Sequence, residues 1–390
     1  MPRTAAATAG LLPILCFLGT ASAQEDAPAA HLPPGFELRS TFAVTGGFDS
    51  NPEELPENEA DGSAFVQTDL ALRATLGDET RTQLRIDLEG SAVKFLESEF
   101  ATQHEAEAEL EVRHVVSDEL LLSAGLFHER DNTDDPPTLF SEAWGRAEAE
   151  LGRLDLDVRG AVAEYHERIE AEEIVEFDLE NFDYRVATAE LRATLDTATA
   201  IAPLVRGRVG AFDYHEQRPG KPDRDALEHS VLAGAVVTFS DALVAELGLR
   251  RTQRDFEEPG AGSYSRLGPD IYVVWDPTDR LRLTAAYGHY FSEPDFEDVL
   301  VIDTTFAELD VEYEANERLT IAGGASLLDE EAIGTGFETR TWRAYANARW
   351  LLREHLLLIA AARFEQEEPE EPEVYGFRRV VVRAGLEASF

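Results

Sequence analysis

The sequence predicts an all-β fold: a transmembrane, antiparallel, up-and-down β-barrel of about 18 strands, with about 16 as the alternative count. Three observations predict it. Hydrophobicity alternates with period two from near residue 35 to the end of the chain. The links between alternating segments switch between short turns and longer acidic stretches. The chain closes on one more alternating segment that ends in Phe390.

The alternation places apolar residues on one face and charges on the other, as strands do. Val66, Thr68, Leu70, Leu72, Ala74 and Leu76 oppose Gln67, Asp69 and Arg73. Leu84, Ile86 and Leu88 oppose Arg85, Asp87 and Glu89, and Ala106, Ala108, Leu110 and Val112 oppose Glu107, Glu109 and Glu111. A water-soluble sandwich shows the same pattern, so the links must discriminate. Short turns fall at Gly77-Asp78-Glu79, Ser117-Asp118-Glu119, Leu151-Gly152-Arg153, Asp196-Thr197, Ser240-Asp241, Pro277-Thr278-Asp279, Ala315-Asn316-Glu317 and Arg353-Glu354. Between them lie acid-rich links at 51–61, 131–137, 167–180, 217–225, 257–262, 330–336 and 365–373. Tight turns at one edge and long loops at the other are expected of an outer-membrane barrel, with short periplasmic turns and longer external loops. An even strand count returns both termini to the periplasmic side.

In the segment from Trp342 to Trp350, Trp342, Ala344, Ala346, Ala348 and Trp350 share one face, while Arg343, Tyr345, Asn347 and Arg349 share the other. A tilted strand of that length climbs roughly 20 Å, the height of a barrel's apolar band, so Trp342 and Trp350 read as girdle anchors at the two interfaces. In the last segment Val380, Val382, Ala384, Leu386, Ala388 and Phe390 alternate with Arg383, Gly385, Glu387 and Ser389. This is similar to the closing strand of bacterial outer-membrane proteins, which implies that Phe390 is an insertion signal read by the barrel-insertion machinery.

Composition excludes other classes. The 390 residues carry 77 Asp and Glu against 34 Lys and Arg, a net charge of −43, so a nucleic acid would be repelled. A 44% hydrophobic content with 9% aromatics is too rich for an acidic disordered chain. Cys16 is the sole cysteine, which rules out disulfides and cysteine-ligated metals. Residues 1–23 read as a signal peptide: Arg3, an apolar stretch at 11–18, then Ala21-Ser22-Ala23 before Gln24. The competing reading of Cys16 as a lipid attachment point is weakened by Leu15, which stands where a small residue is wanted. Residues 24–34 read as a periplasmic lead and 35–390 as one barrel domain.

Near the barrel's start, Phe36, Leu38, Phe42 and Val44 lead into Gly46-Gly47-Phe48-Asp49-Ser50-Asn51-Pro52. This stretch resembles the first strand and loop of the putative beta-barrel porin type 2 family, whose members carry a Gly-aromatic-Asp-x-Asn element there; Phe48, Asp49 and Asn51 match it. The resemblance implies an outer-membrane barrel, associated in some members with exopolysaccharide or capsule systems. Read from the residues alone, Asp49 to Pro52 is a turn.

If the parity holds, the lumen is lined by both signs of charge, with Arg73, Arg85, Arg146, Arg206, Arg208, Arg343 and Arg349 beside Glu107, Glu109 and Glu148. Such charges, roughly balanced in the lumen, brace and wet the wall, leaving surplus acid to the loops and a mild cation preference. Aromatics of inward parity, among them Phe65, Phe95, Tyr165, Phe212, Tyr214, Tyr272, Tyr290 and Tyr345, would permit sugars to stack. The expected function is an outer-membrane pore for hydrophilic solutes by passive diffusion, with an association to exopolysaccharide export implied by the resemblance. The alternative is a non-conducting structural or surface-binding barrel. An enzyme ranks last: His128, His166, His215 and His289 fall near external strand ends, but no barrel-enzyme motif accompanies them. Asp131-Asn132-Thr133-Asp134-Asp135 lacks the glycine and distant glutamate of a calcium loop, so no metal, cofactor or catalytic residue is expected. The expected partners are outer-membrane lipids and lipopolysaccharide, the insertion machinery, and hydrophilic solutes or polysaccharide.

Overall fold

The computed structural model describes residues 35–56, 60–97, 100–132, 137–167, 183–215, 223–258, 260–293, 299–369 and 376–390; the expected signal peptide and lead, residues 1–34, lie outside them. The described residues form eighteen strands: β1 (Phe36–Asp49), β2 (Ser63–Asp78), β3 (Thr82–Phe95), β4 (Gln103–Ser117), β5 (Leu120–Asp131) and β6 (Thr138–Leu151). β7 (Leu154–Glu167), β8 (Tyr184–Leu195), β9 (Ile201–Tyr214), β10 (Ala226–Ser240), β11 (Leu243–Phe256) and β12 (Ser263–Thr278) follow. The chain ends with β13 (Leu281–Ser292), β14 (Val301–Asn316), β15 (Leu319–Ile333), β16 (Phe337–Arg353), β17 (Leu356–Pro369) and β18 (Arg378–Ser389). Each strand pairs antiparallel with its sequence neighbours, and β1 pairs with β18, so the sheet closes and leaves no free edge between first and last strand.

Closure extends to the terminal residue: the Ser40 amide donates to the Phe390 carbonyl at 3.0 Å and the Phe390 amide returns the bond at 2.9 Å. A Cβ at Gly385 would collide with the Val44 carbonyl and the Thr45 backbone, so this close approach of β18 to β1 requires glycine.

Outward-facing residues such as Leu38, Leu70, Leu126, Val162, Val231 and Leu386 are apolar and exposed all round the cylinder. A band of that extent is a lipid-facing surface rather than a water-facing one. One rim carries short turns. In the turn between β6 and β7, Gly152 takes φ 72° as the first of two central residues, where strand twist favours a positive φ and glycine adopts it without strain. The other rim carries the longer links, with two corrections to the sequence reading. Glu365 to Pro369, expected within an acidic loop, belong to β17, where they pair with β16. Glu330 to Ile333, likewise expected within an acidic loop, belong to β15, and the link to β16 is only residues 334–336. Beyond the apolar band both faces of a strand are solvated, so alternation stops reporting where the strand ends.

Among the described residues, β12 and β13 part company over half their length. β12 and β13 pair from Ile271↔Tyr287 to Trp275↔Leu283, and again at Thr278↔Leu281. Towards the long-loop rim β12 continues beside β11 alone, from Asp270↔Gly248 to Ser263↔Asp255. β13 continues beside β14 alone, from Gly288↔Phe306 to Ser292↔Ile302. The two strands part, and the end of the β13–β14 hairpin leans into the barrel. There Phe291 and Val301 pack with Phe212, Ala226 and Phe256, inner-face residues of β9, β10 and β11.

Candidate functional site: the lumenal wall

Directly paired residues share a face, so register decides which charges meet inside. Arg73 and Asp87 are cross-strand partners joined by an ion pair, and Arg85 reaches the same carboxylate. Arg146 grips Asp157 with two N–H donors at 2.8 and 2.6 Å and lies 3.2 Å from Glu148. Arg159 pairs with Glu142, and Arg208 stands 3.3 Å from Glu190 and 3.9 Å from Glu228. Other pairs bridge a strand. Arg206 on β9 reaches over β10 to Glu246 on β11 at 2.9 Å, a carboxylate that Arg192 also engages at 2.7 Å. Arg349 reaches Glu387 over β17 at 2.6 Å, and Arg343 and Arg363 both hold Glu365 at 2.6 Å. Tyr345 donates to Asp310 at 2.6 Å across Gly324, where a side chain would obstruct the contact. Where both partners are half-exposed, such a pair contributes about 0–1 kcal/mol, so the network braces a wet wall more than it drives folding.

The charge is not balanced everywhere. Glu105, Glu107, Glu109 and Glu111 occupy successive inward positions of β4, with Glu89↔Glu107 and Glu107↔Glu129 directly opposed. Carboxylate oxygens of Glu105, Glu107 and Glu129 lie within 4.8 Å of one another. Arg85 approaches Glu109 and Glu111 at 3.6 and 3.9 Å, on the short-turn side of this cluster. Opposed like charges are destabilising unless solvated, so this column marks water-filled space and draws cations towards it.

The inward-leaning hairpin narrows the long-loop half. Arg254, 1% exposed at its side chain, donates to Glu228 at 2.8 Å and to Glu293 at 2.7 Å, and its guanidinium lies 4.2 Å from the Phe212 ring centre. The Tyr214 hydroxyl donates to the same Glu293. Arg266 on β12 holds Asp303 on β14 at 2.7 Å, and buried His289 sits so near Gly268 that a Cβ there would lie 2.8 Å from its Nδ1.

The Phe48, Asp49, Asn51 element is both a turn and a clamp on the closing seam. The Asn51 amide donates to Asp49 Oδ1 at 3.0 Å, and the Asn51 side chain accepts from the Leu55 amide at 3.0 Å and donates to its carbonyl at 2.7 Å. Asp49, buried, accepts from Arg379 on β18 at 2.7 and 3.0 Å, while Phe48 faces outward. Trp342, Trp350 and Phe390 are exposed on the outer face.

By register, Arg73, Arg85, Glu107, Glu109, Arg146, Glu148, Arg206, Arg208, Arg343 and Arg349 share the charge-bearing face of their strands. Parity did not identify the partners Glu246 and Glu365 or the buried Arg254. It also passed over Phe127, Phe140, Trp144 and Tyr184, inward aromatics whose only signal was position. Of the histidines, His128 contacts Ser141 at 2.9 Å on the outer face and His166 lies 3.2 Å from Asp183 at the long-loop rim.

Eighteen antiparallel strands closed on themselves, apolar outside and charged within, define a β-barrel of the outer-membrane type. The chain belongs to the family described as Putative beta-barrel porin 2, whose model matches residues 35–390. No curated protein matches it. Among solved structures it is similar to the copper transporter OprC, at 10% identity and TM-score 0.52 over 91% of this chain and 80% of that one. It is also similar to Pseudomonas aeruginosa OccK2 (OpdF), at 9% identity and TM-score 0.51 over 90% of this chain and 98% of that one. The same protein in complex with glucuronate matches at 9% identity and TM-score 0.51, over 91% and 98% of the two chains. At these identities the likeness is one of fold.

Proposed function

We propose that this protein is a bacterial outer-membrane pore that passes hydrophilic solutes by passive diffusion, without enzymatic activity. The observation that carries this reading is the inner wall: paired but half-exposed charges on nearly every strand, in a barrel whose strand number leaves room for an aqueous channel. In this reading the apolar outer band meets lipid, the acidic long-loop rim faces outward among lipopolysaccharides, and residues 1–23 direct export. The final strand engages the insertion machinery through Phe390. The acidic column on β4 adds a mild cation preference. An association with polysaccharide export rests only on what the resemblance of the Phe48, Asp49, Asn51 element implies, and the complex of OccK2 with glucuronate is a precedent for a sugar acid in a barrel of this fold.

A second reading has its own support. The β13–β14 hairpin fills part of the long-loop half, which favours a barrel narrowed or closed at that end. Planar-bilayer recording of the refolded protein separates the two: stepwise conductance supports the pore, and bilayers that stay silent despite demonstrated insertion support the closed barrel.

A further inference from the structure

Four aromatic residues form an unbroken cross-strand row inside the barrel. Phe140 on β6 pairs with Tyr165 on β7, Tyr165 with Tyr184 on β8, and Tyr184 with Tyr214 on β9. Ring centres are 5.3 Å apart for Tyr165–Tyr184 and again for Tyr184–Tyr214. Because barrel strands tilt by about 40°, a row perpendicular to them climbs the wall obliquely as a ramp. Phe127 extends it, 6.0 Å from Phe140, and Trp144 lies beside it in an open cleft shared with Phe127, Glu142 and Arg159.

Packing alone explains part of this, since cross-strand aromatic pairs stabilise sheets. It does not explain the surroundings. Phe140, Tyr165, Tyr184 and Tyr214 are partly exposed on the inner face of a wall otherwise lined by charges, Tyr184 and Tyr214 also packing at one edge against the cluster of Phe212 and Phe291. Both ends of the row meet carboxylates: Glu129 is the cross-strand partner of Phe140, and Glu293 accepts the Tyr214 hydroxyl. Flat apolar faces bordered by strong acceptors match one ligand chemistry, a pyranose ring, whose C–H face covers an aromatic ring while its hydroxyls donate to carboxylates. Acid and base balance in the cleft beside the row, with Glu109, Glu142, Asp157 and Glu190 against Arg146, Arg159, Arg192 and Arg206, so a neutral sugar fits it without a net charge to offset.

We infer that the row Phe140–Tyr165–Tyr184–Tyr214 is a binding ramp for neutral oligosaccharides. This rests on the pore reading for its purpose, but its test does not need conduction. Binding of maltohexaose and cellohexaose to the refolded protein in detergent is measured by titration calorimetry, alongside Tyr165→Ala/Tyr184→Ala and Tyr165→Phe/Tyr184→Phe. Saturable binding is expected in the wild type, weakened about tenfold or more by the alanine pair. The phenylalanine pair, which keeps the rings and loses only hydroxyls, is expected to stay within about threefold of wild type, and Tyr272→Ala, outside the row, is expected to bind normally. Absence of binding by both hexaoses to folded wild-type protein overturns the inference. So does unchanged binding in a folded alanine pair. A silent bilayer refutes the pore and leaves this result standing; a conducting pore that binds neither sugar refutes the ramp alone.

Discussion

Arg254 and Glu293 meet at 2.7 Å inside the barrel, one on the wall at β11 and the other just past the end of β13, with the arginine side chain 1% exposed. This contact holds the inward-leaning hairpin to the wall. Arg254→Met keeps the apolar stem against Phe212 but leaves Glu228 with only the more distant Arg208 and Glu293 with only the uncharged Tyr214 hydroxyl. Removing one partner of a buried ion pair costs about 3 kcal/mol or more. The expected result is a lower urea midpoint together with larger or more frequent conductance steps, read by tryptophan fluorescence and bilayer recording. Unchanged conductance in a folded variant would mean that the hairpin does not limit the path.

The column of acids on β4 predicts selectivity. The triple variant Glu105→Gln/Glu107→Gln/Glu129→Gln removes opposed like charges that no arginine among the described residues pairs with, so the reversal potential under a salt gradient moves towards zero. Stability holds or rises, because each neutralised opposition relieves about 0.2–1 kcal/mol. A reversal potential identical to wild type would place selectivity elsewhere, in the acidic loops.

How much of this was legible follows from what alternation encodes. Period two reports which face a residue takes, because one face meets lipid and the other water, and a one-residue slip would invert every side chain. Hence Trp342 and Trp350 were separable from Arg343 and Arg349 by position alone. Alternation does not report register, so the reach of Arg206 over β10 to Glu246 had no local signature. The burial of Arg254 depends on the parting of β12 from β13, a tertiary event. Tyr184 was missed because the acid-rich run at 167–180 hides where β8 begins.

Asp49 and Arg379 predict the strength of the closing seam. Arg379 is the partner of a buried carboxylate, so Arg379→Ala leaves Asp49 with an unmet charge and costs about 2–3 kcal/mol. Asn51→Ala, which removes the side-chain bonds to Leu55, costs about 1–2 kcal/mol. Equilibrium urea unfolding in detergent measures both, with the arginine change expected to be the larger. Equal, negligible losses would show the element to be dispensable for closure.

Asp225, in the link before β10, predicts a pH dependence. Burial pushes its carboxyl up, nearby Asp223, Asp213 and Glu257 add to this, and the Tyr214 amide bond at 2.7 Å opposes it. A raised carboxyl pKa means that the folded state holds a proton the unfolded chain has released. Stability therefore falls as pH rises from the unfolded value of 3.8 through the higher folded value, and the penalty is complete above it. Asp225→Asn keeps an acceptor for the Tyr214 amide and removes the charge. Its unfolding midpoint is expected above wild type at neutral pH and level with it below about pH 3. A neutral-pH midpoint at or below wild type would contradict the assignment.

Gly268 and His289 give a direct handle on the hairpin, because a side chain at Gly268 would touch the His289 ring. The double substitution Gly268→Cys/His289→Cys puts two thiols on neighbouring strands where the β12–β13 ladder is open, the His289 ring lying against the place a residue-268 Cβ would take. Cys16 is the only native cysteine and is replaced by serine so that the new pair reads alone. Oxidation tethers the hairpin to β12, and reduction frees it without altering composition. If the hairpin moves, conductance is lower in the oxidised protein and rises reversibly with reductant. A disulfide that forms quantitatively yet leaves conductance unchanged would show that the hairpin is a fixed part of the wall, and the narrowing it imposes would then be permanent.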